Sequence, residues 1–250
     1  MSTNQIPEEV VNDLLGFDGL KIIQRPDMLN FSIDSILVAD FANLTSKIRR
    51  VVDVGTGLGP IPLFLSAMDP SVHITGFEIQ KDVADLAARS VRLNKLEARI
   101  DIINEDFKHA LKVLNPTSID MVLSNPPFFK YKKDANVSLS DYKKLARHEI
   151  AIDMETIIKE SKRILKDKGR LVLIQRVDRL EEMVLLLNEY RFSVKRMRFV
   201  HPRENQSAYM VLIDAANNSK GNTEVLPPLY VHETNSEDYS DEILRIFRRR

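Results

Sequence analysis

The 250-residue sequence contains no cysteine. Disulfides, zinc–thiolate sites, cysteine nucleophiles and iron–sulfur clusters are thereby excluded, and a cytoplasmic location is expected. Net charge is also missing, because 36 Lys and Arg balance 36 Asp and Glu. Dedicated nucleic-acid-binding domains tend to be basic overall, so no global field recruits a polyanion, although a local basic rim stays open. No apolar run approaches the length of a membrane span. The polar start MSTNQIPEEV has no signal-peptide core. No internal repeat or extended low-complexity segment occurs. What is present is an ordinary globular composition, 44% apolar and 29% charged, at a length that suits one α/β domain with short extensions.

From Arg50 onward, short apolar runs alternate with amphipathic stretches, the pattern of a βαβ sheet. Val51 to Val54 predicts a buried strand, Ile61 to Met68 a helix stopped by Asp69-Pro70, and Val72 to Ile79 a second strand. A helix over Val83 to Leu93 and a strand over Arg99 to Asn104 follow. A fourth strand, Ile119 to Ser124, runs into prolines that cannot continue a central ladder. The polar stretch Phe129 to His148 reads as a long loop, a length that is usually functional or disordered. Helices are expected at Met154 to Leu165 and Leu180 to Tyr190, and a strand at Arg170 to Gln175. An antiparallel hairpin is expected from Phe192 to Val200 and Ala208 to Asp214. Ahead of the sheet lie a strand-like piece (Leu20 to Gln24) and an amphipathic helix (Asp34 to Leu44). After it, residues 215–250 read as a flexible linker and a tail with too few apolar residues to fold alone. The expected parts are therefore 1–49, 50–214 and 215–250.

Ligands of an open parallel sheet bind beyond the carboxyl ends of its strands. Asp53 with Gly55, Thr56, Gly57 and Gly59, then Glu78 with Ile79, then Asp106 with Phe107 fall at three such ends in chain order. The glycines bring backbone amides close to a ligand, and a carboxylate about twenty residues further on suits both hydroxyls of a ribose. The spacing Asp-x-Gly-x-Gly-x-Gly differs from the dinucleotide fingerprint, and Asp53 would repel a phosphate. A cationic sulfonium with an amino-acid tail tolerates that carboxylate far better, which favours S-adenosylmethionine over NAD. Blander roles stand beside these: a plain strand-to-helix turn for the glycines, a solvated strand end for Glu78, and a helix N-cap for Asp106.

Asn125-Pro126-Pro127-Phe128 closes the fourth strand. The lone pair of an exocyclic base amine is delocalised into the ring, so two hydrogen-bond acceptors are needed to favour the pyramidal, attacking form. The Asn125 side-chain oxygen and the Pro126 carbonyl can supply them. The prolines stiffen the loop, and Phe128 offers a face on which an extruded base can stack. No metal and no covalent intermediate is required. Alone, the tetrapeptide could equally be a rigid turn.

Together, Asp53-Val54-Gly55-Thr56-Gly57-Leu58-Gly59 and Asn125-Pro126-Pro127-Phe128 resemble the Rossmann-like class I amino-methyltransferases. Within them the chain is similar to the bacterial enzymes that methylate N6 of the adenosine beside the anticodon of a valine tRNA. The similarity runs from about Leu14 to Asp214 and includes Phe31-Ser32-Ile33-Asp34-Ser35-Ile36-Leu37-Val38-Ala39 and Arg147-His148-Glu149. The resemblance implies a doubly wound, mostly parallel sheet of seven strands with an antiparallel last strand. It implies that residues 1–49 cover the cofactor, that Asp53, Gly55 and Gly57 line its methionine side, that Glu78 holds the ribose, and that Asp106 with Phe107 holds the adenine. Tyrosine often stands in that family where this chain has Phe128. Phenylalanine also occurs in ribosomal-RNA guanine-N2 enzymes, which leaves the base open.

Lys130, Lys132 and Lys133, with Arg147, form a candidate basic rim for RNA phosphates, or simply a solvated loop. His148 reads as a loop-ordering residue, since methyl transfer to an amine needs little base help. The expected partner is a tRNA substrate, and the protein is expected to be a monomer. Ribosomal-RNA or protein-glutamine methylation and a non-catalytic RNA-binding module are the rivals. Protein-glutamine enzymes carry a helical domain ahead of the sheet, for which some fifty residues leave little room.

Overall fold

The computed structural model describes residues 8–14, 19–26, 32–126 and 153–247. Its centre is a sheet whose parallel strands are β3 (Arg50–Val54), β4 (His73–Phe77), β5 (Ile100–Ile103), β6 (Ile119–Ser124) and β7 (Leu165–Arg176). Two longer strands, β8 (Phe192–His201) and β9 (Met210–Asn217), complete the expected seven. β9 is the antiparallel one and inserts between β7 and β8. Two-residue strands β10 (Glu224–Val225) and β11 (Leu229–Tyr230) pair in parallel with β8, so the whole order is β10-β8-β9-β7-β6-β3-β4-β5 with β11 also on β8.

Every residue of β6 is buried, and β3 is buried beyond Arg50, as expected for central strands covered on both faces. Neighbouring residues point to opposite faces, so Val51, Met121 and Val172 feed one core and Val52, Val122 and Leu171 the other. The first face is covered by α1 (Ile33–Phe41), α2 (Pro60–Met68) and α3 (Lys81–Leu93). The second is covered by a 3-10 turn (Phe107–Lys112), α4 (Met154–Ile164) and α5 (Leu180–Glu189). β3 continues to β4 and β5 on one side, and the chain then returns to β6 on the other. The switch point therefore lies between the carboxyl ends of β3 and β6.

Both flanks depart from the sequence expectation. The strand-like piece is half of a hairpin, β1 (Val10–Asp13) with β2 (Lys21–Gln24). It docks on α3, where the Asn94 amide donates to Lys21 O and accepts from Lys21 N, and Ser90 Oγ accepts from Ile23 N. Residues 215–217, expected to begin a flexible linker, are buried members of β9. Asn217 Nδ2 donates to Lys166 O at 3.0 Å. The tail then crosses the free edge of β8 and ends in α6 (Asp241–Phe247). Five of its apolar residues, Leu229, Val231, Ile243, Ile246 and Phe247, sink into the first core, while Val225 stays exposed. They are too sparse to form a core but sufficient to dock on one, at roughly 1.5–3 kcal/mol for each large side chain buried. No helix among the described residues is long and apolar enough to cross a membrane.

Candidate active site

β3 ends in Asp53 and Val54, and the chain turns at once into α2 through glycines with φ of +70° (Gly55), +56° (Gly57) and +87° (Gly59). Pro60, with φ preset for a helix, opens α2 directly after Gly59. Gly55 N and Thr56 N both donate to Phe77 O, which pins the loop against the end of β4. A Cβ on Gly55 or Gly57 would meet nothing within 4 Å, so open space lies against the backbone there. Gly76, the partner of Asp53 on β4, is the reverse case. A Cβ there would stand 2.8 Å from Thr56 Oγ1 and 3.0 Å from Ile102 Cδ1.

The polar groups of this corner are unusual. Asp53 is fully buried, and neither of its carboxylate oxygens has a hydrogen-bond partner; the same holds for Thr56 Oγ1. Burial pushes the Asp53 carboxyl up to about 7, with the Thr56 side chain opposing and the Glu78 charge adding to the rise. Glu78, one residue past β4, is itself buried. It accepts from Gly57 N with Oε2 at 3.0 Å and from Gln80 N with Oε1 at 2.9 Å. Burial raises its pKa, and these backbone bonds hold it back. Asn104 Nδ2 donates to Glu78 O at 2.9 Å and to Ile79 O at 3.0 Å, clamping the segment from the end of β5. Buried polar groups almost always find partners. Two orphan carboxylate oxygens and an orphan hydroxyl beside an open glycine turn are what a cationic, hydroxyl-bearing ligand would complete.

Asp106 caps the 3-10 turn, accepting from Lys108 N at 2.9 Å. The capping role weighed in the sequence is therefore present, and one carboxylate oxygen remains for a ligand. Phe107 opens that turn. Its ring is buried edge-on against Phe77, centroids 5.3 Å apart. Only its backbone is left to contact an adenine.

Asn125 and buried Pro126 follow β6, and Ser124 Oγ donates to Val54 O at 2.8 Å. Because Val54 pairs with Ser124, Gly55 and Asn125 emerge side by side from neighbouring strands, roughly 5 Å apart. Asn125 Nδ2 donates to Ser35 Oγ at 3.1 Å, while its Oδ1 is buried without a partner. Pro127, Phe128, Lys130, Lys132, Lys133, Arg147 and His148 lie outside the described residues. Among the described residues no group of three or more His, Asp or Glu side chains could hold a metal ion.

Residues 33–199 match the methyltransferase small domain family. The chain belongs to that family. This methyltransferase is 26% identical over 241 residues to the tRNA1(Val) (adenine(37)-N6)-methyltransferase of Porphyromonas gingivalis, an alignment spanning 94% of this chain and 93% of the relative. The enzyme of the same name from Bacteroides thetaiotaomicron is 26% identical across 83% of this chain and 86% of its own. Among solved structures, a predicted O-methyltransferase of Agrobacterium tumefaciens superposes with a TM-score of 0.69 at 22% identity, covering 86% of this chain and 96% of the other. That likeness places the methyltransferase in the Rossmann-like class I fold.

Three residues of the methyltransferase site carried no sequence signal strong enough to single them out. Gly76 is a lone glycine in a strand, and its meaning appears only once Thr56 is seen against it. Asn104 acts across 26 residues and Ser35 across 90, distances over which no local pattern reports a contact.

Proposed function

We propose that this methyltransferase transfers the methyl group of S-adenosylmethionine to N6 of an adenine in tRNA, beside the anticodon of a valine tRNA. The observation that carries amine chemistry is the Asn125 Oδ1 atom, an unpaired buried acceptor at the switch point beside the glycine turn. The adenine and the tRNA rest on the named activity of relatives that align over nearly their whole length.

The corner fits the cofactor. Asp53 faces its cationic end, and the open turn at Gly55 and Gly57 lets it approach the backbone. Each Glu78 oxygen, already holding one amide, keeps lone-pair capacity for a ribose hydroxyl. When bound, the sulfonium supplies an electrophilic methyl group. The chain contributes alignment and polarity. Asn125 Oδ1 and the Pro126 carbonyl accept the two hydrogens of the amine and favour its pyramidal form. The proline-stiffened turn keeps both acceptors from reorganising. The proton released after transfer passes to water. This reading assigns Phe128, after Pro127, to stacking the extruded base, and Lys130, Lys132, Lys133 and Arg147 to phosphate contacts.

The decisive experiment offers labelled S-adenosylmethionine with undermethylated total tRNA, ribosomal RNA and protein. Label is expected in tRNA as N6-methyladenosine; label only in ribosomal RNA or protein overturns the acceptor. Asn125→Ala should lower the rate by about 100-fold or more while S-adenosylhomocysteine still binds with nearly unchanged affinity. A rate within a few-fold of wild type removes Asn125 from the chemistry.

A further inference from the structure

An asparagine can serve as the amine acceptor only if its oxygen, and not its NH2 group, faces the substrate. The two ends of the amide have the same shape, so packing alone does not choose between them. In this protein the amide is anchored to α1. Ser35, in the first turn of that helix, takes a hydrogen bond from Asn125 Nδ2 at 3.1 Å, and the opposite end, Oδ1, is left buried and partnerless. Ser35 is itself only 7% exposed, so water does not readily replace it. Its place is fixed by the start of the helix, where Ser35 N donates to Ser32 O and Ser32 Oγ donates to Asp34 Oδ2. The contact spans 90 residues and joins the segment ahead of the sheet to the end of β6.

We infer that Ser35 is a positioning residue whose hydroxyl anchors the Asn125 side chain at the carboxyl end of β6, where the amide oxygen meets the substrate amine. An unsatisfied buried acceptor is costly in a resting protein. Ser35 offsets part of that cost by giving the other end of the amide its partner. Without the hydroxyl, neither end of the amide has a partner in the resting protein, and the side chain is free to leave the position from which its oxygen accepts the amine hydrogens. The first turn of α1 thus takes part in ordering the catalytic acceptor. This role rests on the amine-methylating reading of Asn125.

Ser35→Ala provides the test, with two readouts. Steady-state kinetics on undermethylated tRNA at saturating cofactor should show kcat about tenfold lower, the size of one modest hydrogen bond, with S-adenosylhomocysteine affinity and Tm unchanged. Selective 15N labelling of asparagine reads the contact itself. The Asn125 side-chain NH2 signals, assigned by their absence in Asn125→Asp, should shift in Ser35→Ala and return toward wild type in Ser35→Thr. An unchanged NH2 signal in Ser35→Ala overturns the proposal. So does an unchanged kcat, or a kcat loss matched by an equal loss of cofactor affinity. If the wild-type protein methylates no tRNA, the functional reading fails, and the NH2 signal then decides the Ser35 contact separately.

Discussion

Asp53 and Asp214 are both buried carboxylates on strands of the same sheet, yet their surroundings are opposite. Asp214, on β9, is 3% exposed and receives two guanidinium groups. Arg170 Nε donates to its Oδ1 at 3.0 Å and Arg196 Nε to its Oδ2 at 3.0 Å. Arg196 also lies over the Phe41 ring, 4.8 Å from its centroid, and donates to Phe41 O, which ties α1 to the sheet. Asp53, on β3, is 0% exposed and receives no guanidinium or backbone donor, and only the Thr56 side chain favours its charge. A buried ion with full partners belongs to the architecture. A buried ion without them is tolerated where a ligand brings the partner. The contrast separates the half of the sheet that holds the fold from the half that holds the chemistry.

The largest effect is expected from Asp214→Ala, which leaves two arginines without their carboxylate. Unfolding by urea should show a loss of about 3 kcal/mol, the low end for breaking a buried pair because both arginines are partly solvated. S-adenosylhomocysteine affinity of the remaining folded protein should change little. A loss below about 1 kcal/mol would erase the distinction between the two aspartates.

Next in size is the pH dependence carried by Asp53. Its folded pKa, about 7, lies above its ordinary value of 3.8, so the folded protein holds this proton longer than the unfolded chain. Between these values stability falls as pH rises, and it levels off above about 7. From pH 5 to pH 8 without cofactor, wild type should lose on the order of 2 kcal/mol more than Asp53→Asn, measured by paired denaturant titrations. Parallel curves for the two proteins would mean that Asp53 ionises normally. The same substitution should weaken cofactor binding, since it removes the charge that meets the sulfonium end.

Gly76→Ala sharpens the comparison from the neighbouring strand. The added methyl would press on Thr56 and Ile102 and displace the glycine turn beside Asp53. Cofactor affinity is expected to fall about tenfold, within the usual cost of overpacking. Calorimetry with S-adenosylhomocysteine reads it, and an unaltered Kd would show that the turn yields without consequence.

Much of this architecture was legible because it depends on local spacing. The glycine turn, Glu78 and Asn125 follow strand ends, and apolar runs bounded by turn residues mark strand ends well. The parallel sheet followed from the βαβ alternation, and seven strands with an antiparallel last one from the resemblance; the order of the strands came from the structure. What stayed hidden depends on contacts between distant parts. In the tail, Leu229 is a lone anchor, and Ile243, Ile246 and Phe247 share a helical spacing only about one turn long, too short to disclose that it packs on a surface made by other elements. β9 runs on to Asn217 through residues whose Asn-rich continuation resembles a linker. Phe107 sits in the core because Phe77 waits for it there, which no property of its own neighbours discloses.

The strap of β10 and β11 along β8 also has a consequence for how the chain is made. Once β9 has been made and has paired with β8, the other side of β8 is still bare, a ten-residue row of backbone groups able to recruit a strand from another molecule. Residues made after β9, in β10 and β11, cover it. Until they arrive, the nascent enzyme has its chemistry in place but an adhesive border, so premature termination near Asn218 should yield aggregates before it yields an inactive monomer.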